Sequence, residues 1–430
     1  MKILTLTCWT HAIKYHLISM NEGAILASGT IERVALGSTI IRQSVPGRQP
    51  FYLETENESH LSAVALILAT LTDPRQGVIA EAGEISAVGH RVAHGGEAFR
   101  HSVLIDGQVL KVIRSLQHLA PMHTAPNIAG IEAALGQLPG IPHVAIFDTA
   151  FHQSLPEVAY LYPLPYEWYQ KHGVRRYGFH GPSHLYLSRR AAVLLDKPVH
   201  ECNLITIHLD RGVSLCAIRN GESIDTSMGM TPLEGAVMET RCGDIDCGIY
   251  AYMMREMGLS VQEFEQILNH KSGIFGLTGR RAERQQFLEA ALAGEPRSKV
   301  ALEVETYRLR KYLGGYLALI GPVQGVVFTA GKASAEWLVR EQVLTGLEGL
   351  GIRCDLEKNR AIRPGQGELE ITGAGSRVRI FVIPTNEELV YAEDVAAIAA
   401  GVYSDHQHHD YSFTHRDFVP IEYREYPAVD

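Results

Sequence analysis

The chain has 430 residues, enough for two or three domains of ordinary size. Lys and Arg number 39 against 48 Asp and Glu, and the net charge of −9 argues against nucleic-acid binding as the main role. The six scattered cysteines include no Cys-x-x-Cys pair, which excludes the usual pattern of a zinc ribbon or a disulfide framework. The first residues lack the apolar stretch of a signal peptide, and no run of 18 apolar residues occurs. These features predict a soluble, cytoplasmic protein.

Two well-separated segments share one pattern of strands and turns. In the first, residues 2–7, 12–18 and 23–31 each have the apolar alternation of a strand. In the second, residues 203–228 hold three apolar strands, separated by an Asp-Arg-Gly turn and an Asn-Gly hairpin turn. The repetition predicts that one fold occurs twice, although three-stranded meanders are common in unrelated proteins.

Strands and helices alternate between and after these segments. Apolar strands are expected at residues 85–92, 143–148, 323–329 and 377–383. Helical patterns follow over residues 125–138, after Ser183, from about Ser334 and from Thr385. This alternation predicts an α/β fold, in which ligands bind at the carboxyl ends of the strands.

Four segments place reactive side chains at strand ends or in glycine-rich turns. They are residues 89–96, 146–152, 177–184 and 239–246. Singly, their arginines are more often surface ion-pair residues, and a strand-end aspartate is often a helix cap. Together, Arg91, Asp148, His180 and Arg241 suit a transferring phosphoryl group, whose negative charge spreads over its oxygens.

Two histidine pairs have the i, i+4 spacing of helical metal ligands. The pairs are His90 with His94 and His180 with His184, and glycine flanks both, so loops are favoured over metal sites. No serine nucleophile elbow, Walker A loop or dinucleotide-binding glycine motif follows a strand. Phosphoryl transfer therefore remains the chemistry that these segments favour.

Seven motifs, in order and spacing, make residues 1 to about 404 resemble the acetate kinase family. They are GHRVAHGG, LAPMHTAPN, FDTAFHQSLP, RRYGFHGPSH, DTSMGMTPLEG, TRCGDID and IPTNEEL. The resemblance implies a duplicated RNase H-like fold, as in the actin-like ATPases, with an active cleft between two domains, and a homodimer. It also implies reversible, magnesium-dependent phosphoryl transfer from ATP to acetate, giving acetyl phosphate and ADP.

The resemblance assigns roles to the transfer residues. Arg91 and Arg241 hold the acyl phosphate and the transferring group, Asp148 is the catalytic acid, and His180 stabilises the transition state. Glu387 and Thr7 occupy the positions expected to hold magnesium. The spacing of Thr385 and Glu388 is that of a capping box, which would occupy Glu388 and leave Glu387 for the metal.

A small apolar pocket for the substrate methyl group is also implied. Phe179 and Pro232 match two of its positions. Ala93 and Met122 fall at the other two, where the family usually has Val and Leu. One smaller and one larger side chain change the shape of the pocket, so the acid that it accepts is left open.

The departures from the family lie on the nucleotide side. Trp9 stands where the family has a glycine beside phosphate, and Asp210 brings a negative charge that Arg211 offsets. Glu283 replaces an aspartate in the adenine region, and the loop after Gly331 is changed. The residues expected to bind nucleotide are Lys14, His208, Leu209, Asp210, Arg211, Gly212, Glu283, Gly331 and Lys332.

The residues expected to carry out the transfer match the family, whereas several of those expected to bind the phosphoryl donor do not. This combination leaves three functions open. The first is an ATP-dependent kinase for acetate or another short carboxylate, and retention of the transfer residues favours activity. The second uses pyrophosphate, phosphate or an unusual nucleotide as donor. The third is an inactive homologue that binds an acyl phosphate or a protein partner. The cations available to a bare phosphoryl donor are Arg211, Arg280, Arg281 and Lys332.

The expected organisation is two domains and a tail. Residues 1–150, completed by about residues 386–404, form the first RNase H-like domain, and residues 151–385 form the second. Residues 405–430 form a packed or loosely ordered extension. Its histidines offer metal binding as the weaker alternative, and they are His406, His408, His409 and His415.

Overall fold

The computed structural model describes residues 1–56, 59–331 and 333–419. The described chain divides into two compact units. Unit 1 contains Met1–Phe151 and the residues from Asn386 onward, and unit 2 contains His152–Thr385. Each unit is built on one mixed β-sheet covered by helices.

Unit 1 contains an eight-stranded sheet. Its strands are β1 (Lys2–Trp9), β2 (Ala12–Ser19), β3 (Ala24–Glu32), β4 (Thr39–Ser44), β5 (Phe51–Thr55), β6 (Ile85–Val92), β7 (Val103–Leu104) and β8 (His143–Phe147). Unit 2 contains a six-stranded sheet. Its strands are β9 (Leu204–Leu209), β10 (Val213–Arg219), β11 (Glu222–Thr226), β12 (Gly325–Thr329), β13 (Leu369–Glu370) and β14 (Arg379–Ile383).

The helices follow in chain order. They are α1 (His60–Leu71), α2 (Gly107–Ser115), α3 (Pro121–Gln137), α4 (Glu157–Tyr160), α5 (Tyr166–His172), α6 (Gly181–Leu195), α7 (Gly248–Met257), α8 (Val261–His270), α9 (Gly273–Thr278), α10 (Arg284–Leu292), α11 (Pro296–Ile320), α12 (Trp337–Leu344), α13 (Leu356–Ala361) and α14 (Glu387–Ala399). Within the described residues, none of them is long and apolar enough to cross a membrane.

The two sheets repeat one strand order. In unit 1 the order β3-β2-β1-β6-β8 joins an antiparallel meander to two parallel strands. In unit 2 the order β11-β10-β9-β12-β14 has the same directions. The predicted duplication and the predicted α/β class are therefore confirmed.

Alternation along the strands places apolar side chains on both faces of the first sheet. Leu4 packs with Ile67 of α1 and Ala133 of α3 on one face. Its neighbour Ile3 packs with Val395 of α14 on the other. Each fully buried aliphatic side chain of this kind contributes about 1.5–3 kcal/mol, so both faces need a covering helix.

The sheet of unit 2 packs against the long helix α11. Ile205 and Ile207 of β9 share a buried cluster with Leu309 and Leu313 of the helix. Leu309 and Leu313 are one helical turn apart, which is the spacing of a helix face that covers a sheet. The central strands of unit 2 are consequently held as a rigid support for the residues at their ends.

Three helix starts differ from the sequence prediction. Helix α14 begins at Glu387 because the Asn386 side chain accepts a hydrogen bond from Leu389 N, so the predicted capping box of Thr385 and Glu388 is wrong. Helix α12 begins at Trp337, after the turn that includes Ser334. Helix α6 begins at Gly181, so His184 is helical and the predicted loop is wrong there.

Candidate active site

Three parallel strands of unit 1 end side by side, and a polar residue lies within two residues of each end. Thr7 of β1 pairs in register with Arg91 of β6, and Asp148 directly follows β8. The Asp148 N–H donates to the Val92 carbonyl over 3.0 Å, which fixes the backbone at this point. The carboxyl ends of parallel strands are where α/β sheets bind ligands, and here they gather three of the predicted residues.

Arg91 and Asp148 form a two-point ion pair. Arg91 Nε donates to Asp148 Oδ1 over 2.9 Å, and Nη2 donates to Oδ2. Burial raises the pKa of Asp148, although the Arg91 charge opposes this. Within the described residues Arg91 Nη1 makes no hydrogen bond. The carboxylate thus fixes the guanidinium plane and leaves a charged donor for an anion.

Glu387 begins α14 beside this pair. Burial and the Asp148 carboxylate raise the pKa of Glu387 to about 7. Burial, and after it the carboxylates of Glu387 and Asp148, also raise the pKa of Tyr391, which lies one turn further along α14. No hydrogen bond or ion pair to Glu387 occurs among the described residues. Excess negative charge at a half-buried oxygen donor suits a hard cation.

The described residues contain no group of three or more His, Cys, Asp or Glu side chains arranged to hold a metal ion. This arrangement still fits magnesium, which proteins usually hold through one or two carboxylates, with water and phosphate completing the shell. Glu387 supplies such a carboxylate, and Thr7 supplies a buried hydroxyl at the end of β1. The tail histidines do not form a cluster of ligands either, since His408 pairs with Asp405 and His415 with Asp410.

Glu388 occupies a buried polar cluster that the sequence did not predict. Its carboxylate accepts from Thr5 Oγ1 over 2.9 Å and lies 3.2 Å from His16 Nδ1 and 3.4 Å from Lys14 Nζ. Burial alone raises the pKa of Glu388, but the charges of His16 and Lys14 outweigh it and hold the pKa below its usual range. Lys14, predicted to bind nucleotide, is therefore also the counter-ion of Glu388. Polar residues at alternate positions of two paired strands were the available signal.

Asn127 bonds to Ala93, one of the predicted pocket residues, and to the backbone near the end of β1. Its Nδ2 donates to the Cys8 carbonyl over 2.8 Å, and its Oδ1 accepts from Ala93 N over 2.9 Å. These two bonds join α3 to the ends of β1 and β6. Ala93 is buried at this junction, and Met122 is half-buried in the first turn of α3.

Gly212 brings His180 and Arg241 together in unit 2. A Cβ at this position would lie 2.6 Å from Arg241 Nη2 and 3.0 Å from His180 Cε1. Arg241 Nη1 donates to the Pro232 carbonyl over 2.7 Å, so the predicted pocket residue also positions the arginine. The two side chains predicted to stabilise the transferring group in this unit are therefore neighbours of one glycine.

His180 is held in an unusual backbone conformation. Its φ of +59° is in the left-handed region, which non-glycine residues rarely adopt. Its Nδ1 lies 2.8 Å from Ser214 Oγ, and its ring lies 4.2 Å from the His208 ring. The preceding residue, Phe179, is buried in the core of unit 2, and its carbonyl accepts from His152 Nε2 over 3.0 Å. Strain of this kind is typical of functional positions.

The remaining predicted nucleotide residues occupy two places in unit 2. Leu209 ends β9, and its N–H donates to Thr329 Oγ1 over 2.8 Å, while the Asp210-Arg211 turn beyond it is exposed. Glu283 precedes α10, next to Arg284, whose partner Glu336 packs beneath Gly331. Lys332, also predicted there, lies outside the described residues.

Three arginines that the sequence offered to a bare phosphoryl donor have partners. Arg211 lies 3.7 Å from Glu239, and Arg280 lies 3.6 Å from Glu295. Arg281 lies over the Phe275 ring, 5.4 Å from its centroid. None of the three projects as an isolated cation, which weakens the argument for a donor without a nucleoside.

Known proteins resemble this chain along almost its whole length. The sequence pattern described as the acetokinase family matches residues 2–393. The acetate kinase of Geobacter metallireducens is 56% identical over 419 residues, which is 97% of this chain and 100% of that protein.

Two solved structures also match. The Porphyromonas gingivalis acetate kinase superposes with a TM-score of 0.87 at 40% identity, over 92% of this chain and 99% of that one. A Francisella tularensis propionate kinase superposes with a TM-score of 0.85 at 35% identity, with the same coverage. The chain therefore belongs to the acetokinase family and is a kinase-type phosphotransferase with a carboxylate as its acceptor.

Proposed function

We propose that this protein transfers the terminal phosphoryl group of ATP reversibly to acetate, giving acetyl phosphate and ADP. The bond between phosphorus and the oxygen bridging to ADP breaks, and a bond from an acetate oxygen to phosphorus forms. The observation that carries the proposal is the anchored Arg91, whose guanidinium is fixed by Asp148 and keeps a free donor. Family membership over residues 2–393 supports it.

The proposed roles follow from charge and position. Arg91 and Arg241 neutralise the oxygens of the acyl phosphate and of the transferring group, since guanidinium stays charged and donates in a plane. Asp148 orients Arg91 and is the catalytic acid, which its raised pKa favours. His180 donates a hydrogen bond to the transferring group in the transition state.

Magnesium is the cofactor we propose, with Glu387 and Thr7 as the residues that would hold it. When bound, it supplies positive charge to the phosphates of the nucleotide. The raised pKa of Glu387 supports this, because a cation would relieve the repulsion between this carboxylate and Asp148.

Acetate is the proposed acceptor, and the pocket residues are Ala93, Met122, Phe179 and Pro232. Ala93 and Phe179 are each buried within their own unit, and the Pro232 carbonyl accepts a hydrogen bond from Arg241. One solved relative is named a propionate kinase, which supports short carboxylates as the substrate class. Propionate is therefore the second acid to test.

ATP is the proposed donor in preference to pyrophosphate. Arg280 and Arg281, which the sequence offered only to a bare phosphoryl donor, already face a carboxylate or a ring. The nucleotide residues proposed are Lys14, His208, Leu209, Asp210, Arg211, Gly212, Glu283, Gly331 and Lys332. Identity of 56% to an acetate kinase gives no support to an inactive homologue.

We also propose that the protein acts in the cytoplasm as a homodimer. Exposed apolar side chains on one helix favour self-association, among them Val300, Val304 and Tyr307 of α11. Light scattering of the purified protein measures the oligomeric state, and a monomer at micromolar concentration would contradict this.

Calorimetric titration with ADP, ATP and pyrophosphate, each with magnesium, tests the donor. A hydroxamate assay for acyl phosphate then tests the transfer. We expect ADP and ATP to bind and acetyl phosphate to form with ATP. Binding of pyrophosphate alone, or no acyl phosphate with any donor, would overturn the proposal.

A further inference from the structure

A chain of hydrogen bonds runs through the buried interior of unit 2 to His180. Thr206 Oγ1 lies 2.8 Å from His184 Nδ1, and His184 Nε2 lies 2.9 Å from Ser214 Oγ. Ser214 Oγ in turn lies 2.8 Å from His180 Nδ1. Thr206, His184 and Ser214 are fully buried, so none of the three exchanges these partners for bulk water. We call this set the hydroxyl–imidazole relay.

The hydrogen bonds of the relay all donate in one direction, from Thr206 towards His180. His184 is neutral, because burial holds its pKa well below the usual value, so one ring nitrogen donates and the other accepts. Within the described residues, the Thr206 hydroxyl has a single hydrogen-bond partner, which is His184. That hydroxyl must donate to His184 Nδ1, since a buried hydroxyl proton without an acceptor costs about 1–3 kcal/mol.

The other two bonds follow from this first assignment. His184 carries its proton on Nε2 and donates it to Ser214 Oγ. The Ser214 hydroxyl, having accepted one bond, donates its own proton to His180 Nδ1. His180 in its neutral form therefore carries its proton on Nε2, the nitrogen that is not used by the relay.

We propose that Ser214 is a positioning residue for the transfer reaction, acting with His184 and Thr206 to hold His180 in the Nε2–H tautomer. The inference rests on the proposed function, in which His180 donates a hydrogen bond to the transferring phosphoryl group. The left-handed backbone of His180 explains the need for a second restraint, because a strained residue at a helix start relaxes unless side-chain contacts hold it.

The tautomer can be read directly by nitrogen NMR of protein labelled with ¹⁵N-histidine, with the His180 signal assigned from a His180→Gln sample. We expect the wild type to show a protonated Nε2 and an unprotonated Nδ1. Ser214→Ala should give a mixture of the two tautomers. A wild-type His180 protonated on Nδ1 would overturn the proposal, whatever the enzyme activity.

Kinetics provide the second readout. Ser214→Ala is expected to lower kcat on the order of 10- to 100-fold, the range found when the hydrogen bond that orients a metal-bound histidine is lost. The KM for acetate should stay unchanged. Ser188→Ala is the matched control, because it removes another buried hydroxyl, which donates to the Leu185 carbonyl, accepts from Arg189 and has no histidine partner among the described residues. Equal effects of the two variants on kcat would contradict the proposal.

A double-mutant cycle separates the relay from a general loss of packing. Thr206→Val removes the first donor while keeping the side-chain shape, and Thr206→Ser keeps a hydroxyl. Thr206→Val should lower kcat more than Thr206→Ser does in an otherwise wild-type chain. In a Ser214→Ala background Thr206→Val should have no further effect, because the relay is already broken.

Additive effects of the two changes would overturn the proposal. The failure of the proposed function is visible separately, since wild-type protein would then form no acetyl phosphate while the His180 tautomer remains measurable.

Discussion

At the scale of single residues, two adjacent glutamates at the carboxyl ends of the unit 1 strands have pKa values shifted in opposite directions. Glu388 faces Lys14, His16 and Thr5, and its pKa lies below the usual range. Glu387, next to it on α14, faces the Asp148 carboxylate and has a pKa raised to about 7. The first is a structural anion held by its own counter-ions, whereas the second has an affinity for protons or for a cation.

Removal of Arg91 should abolish transfer. Arg91→Ala takes away the charge held against Asp148, so we expect acetyl phosphate formation to fall by at least about 1,000-fold, as for a lost phosphoryl-binding arginine. The hydroxamate assay measures this. Arg100→Ala, which removes an exposed arginine from the same unit, is the control. Near-normal turnover of Arg91→Ala would refute the assignment.

Glu387→Gln should stabilise the metal-free protein at high pH. Because the folded-state pKa of Glu387 is raised from 4.5 to about 7, the folded protein binds the proton more tightly than the unfolded chain does. This contribution to stability is complete below pH 4.5 and is lost as the pH rises through 7. Glutamine removes the loss, which amounts to as much as about 3 kcal/mol.

Denaturation midpoints at pH 5 and pH 8, in a chelator, check this prediction. The gain from Glu387→Gln should be larger at pH 8. Magnesium should stabilise the wild type and not the variant. Glu157→Gln, at an exposed helix start, should show the same small effect at both pH values. A pH-independent effect of Glu387→Gln would contradict the assigned charge state.

At the scale of elements, one asparagine joins a helix to the ends of two strands. Asn127 projects from α3 and bonds both to Cys8 at the end of β1 and to Ala93 after β6. Hydrophobic packing between a helix and a sheet is non-directional and allows small shifts along the helix axis. A bidentate side chain at the strand ends removes that freedom where the predicted pocket residues Ala93 and Met122 lie.

Asn127→Ala should destabilise the protein by about 2 kcal/mol, since it leaves a buried carbonyl and a buried N–H without partners. Urea denaturation measures the loss. Gln137→Ala, at the exposed end of the same helix, is the control and should change the stability little. If both variants lose the same small amount, the joint between α3 and the strand ends is unimportant.

At the scale of the whole molecule, the chain returns to unit 1 after completing unit 2. Helix α14 covers one face of the first sheet, and the segment after it packs Tyr411 and Phe413 fully inside unit 1. Tyr411 donates to the buried Asp394 over 2.7 Å, and Ser412 N donates to Glu393 over 2.9 Å. The described part of the tail is thus an integral part of unit 1.

Phe413→Ala should lower the stability of unit 1 by about 3–5 kcal/mol, the usual cost of emptying a buried phenylalanine site. Calorimetry is the measurement, because two units of unequal stability give separable transitions. The control is Val419→Ala, which is 80% exposed on the same segment. A tail that contributes no stability would leave both variants like the wild type.

Much of the fold and part of the candidate site could be predicted from the sequence alone. The sequence predicts strand β6 with its observed bounds, and it predicts the repeated meander and the α/β class, because apolar runs and the turn residues between them are local features of the chain. The sequence predicts Arg91 and Asp148 as transfer residues, and the structure joins them in one ion pair. Local sequence patterns therefore predict the architecture, and the residues at strand ends indicate the candidate site.

Only the tertiary structure decided which partner each polar group takes. Glu388 was predicted to cap a helix, yet Asn386 does so and Glu388 pairs with two residues of β2 far away in the chain. The sequence does not single out Ser214. Its role depends on its hydroxyl lying between His180, which precedes α6, and His184, which lies within α6. The sequence determined the fold and the reactive side chains by local periodicity, whereas long-range packing set their charge states and proton positions.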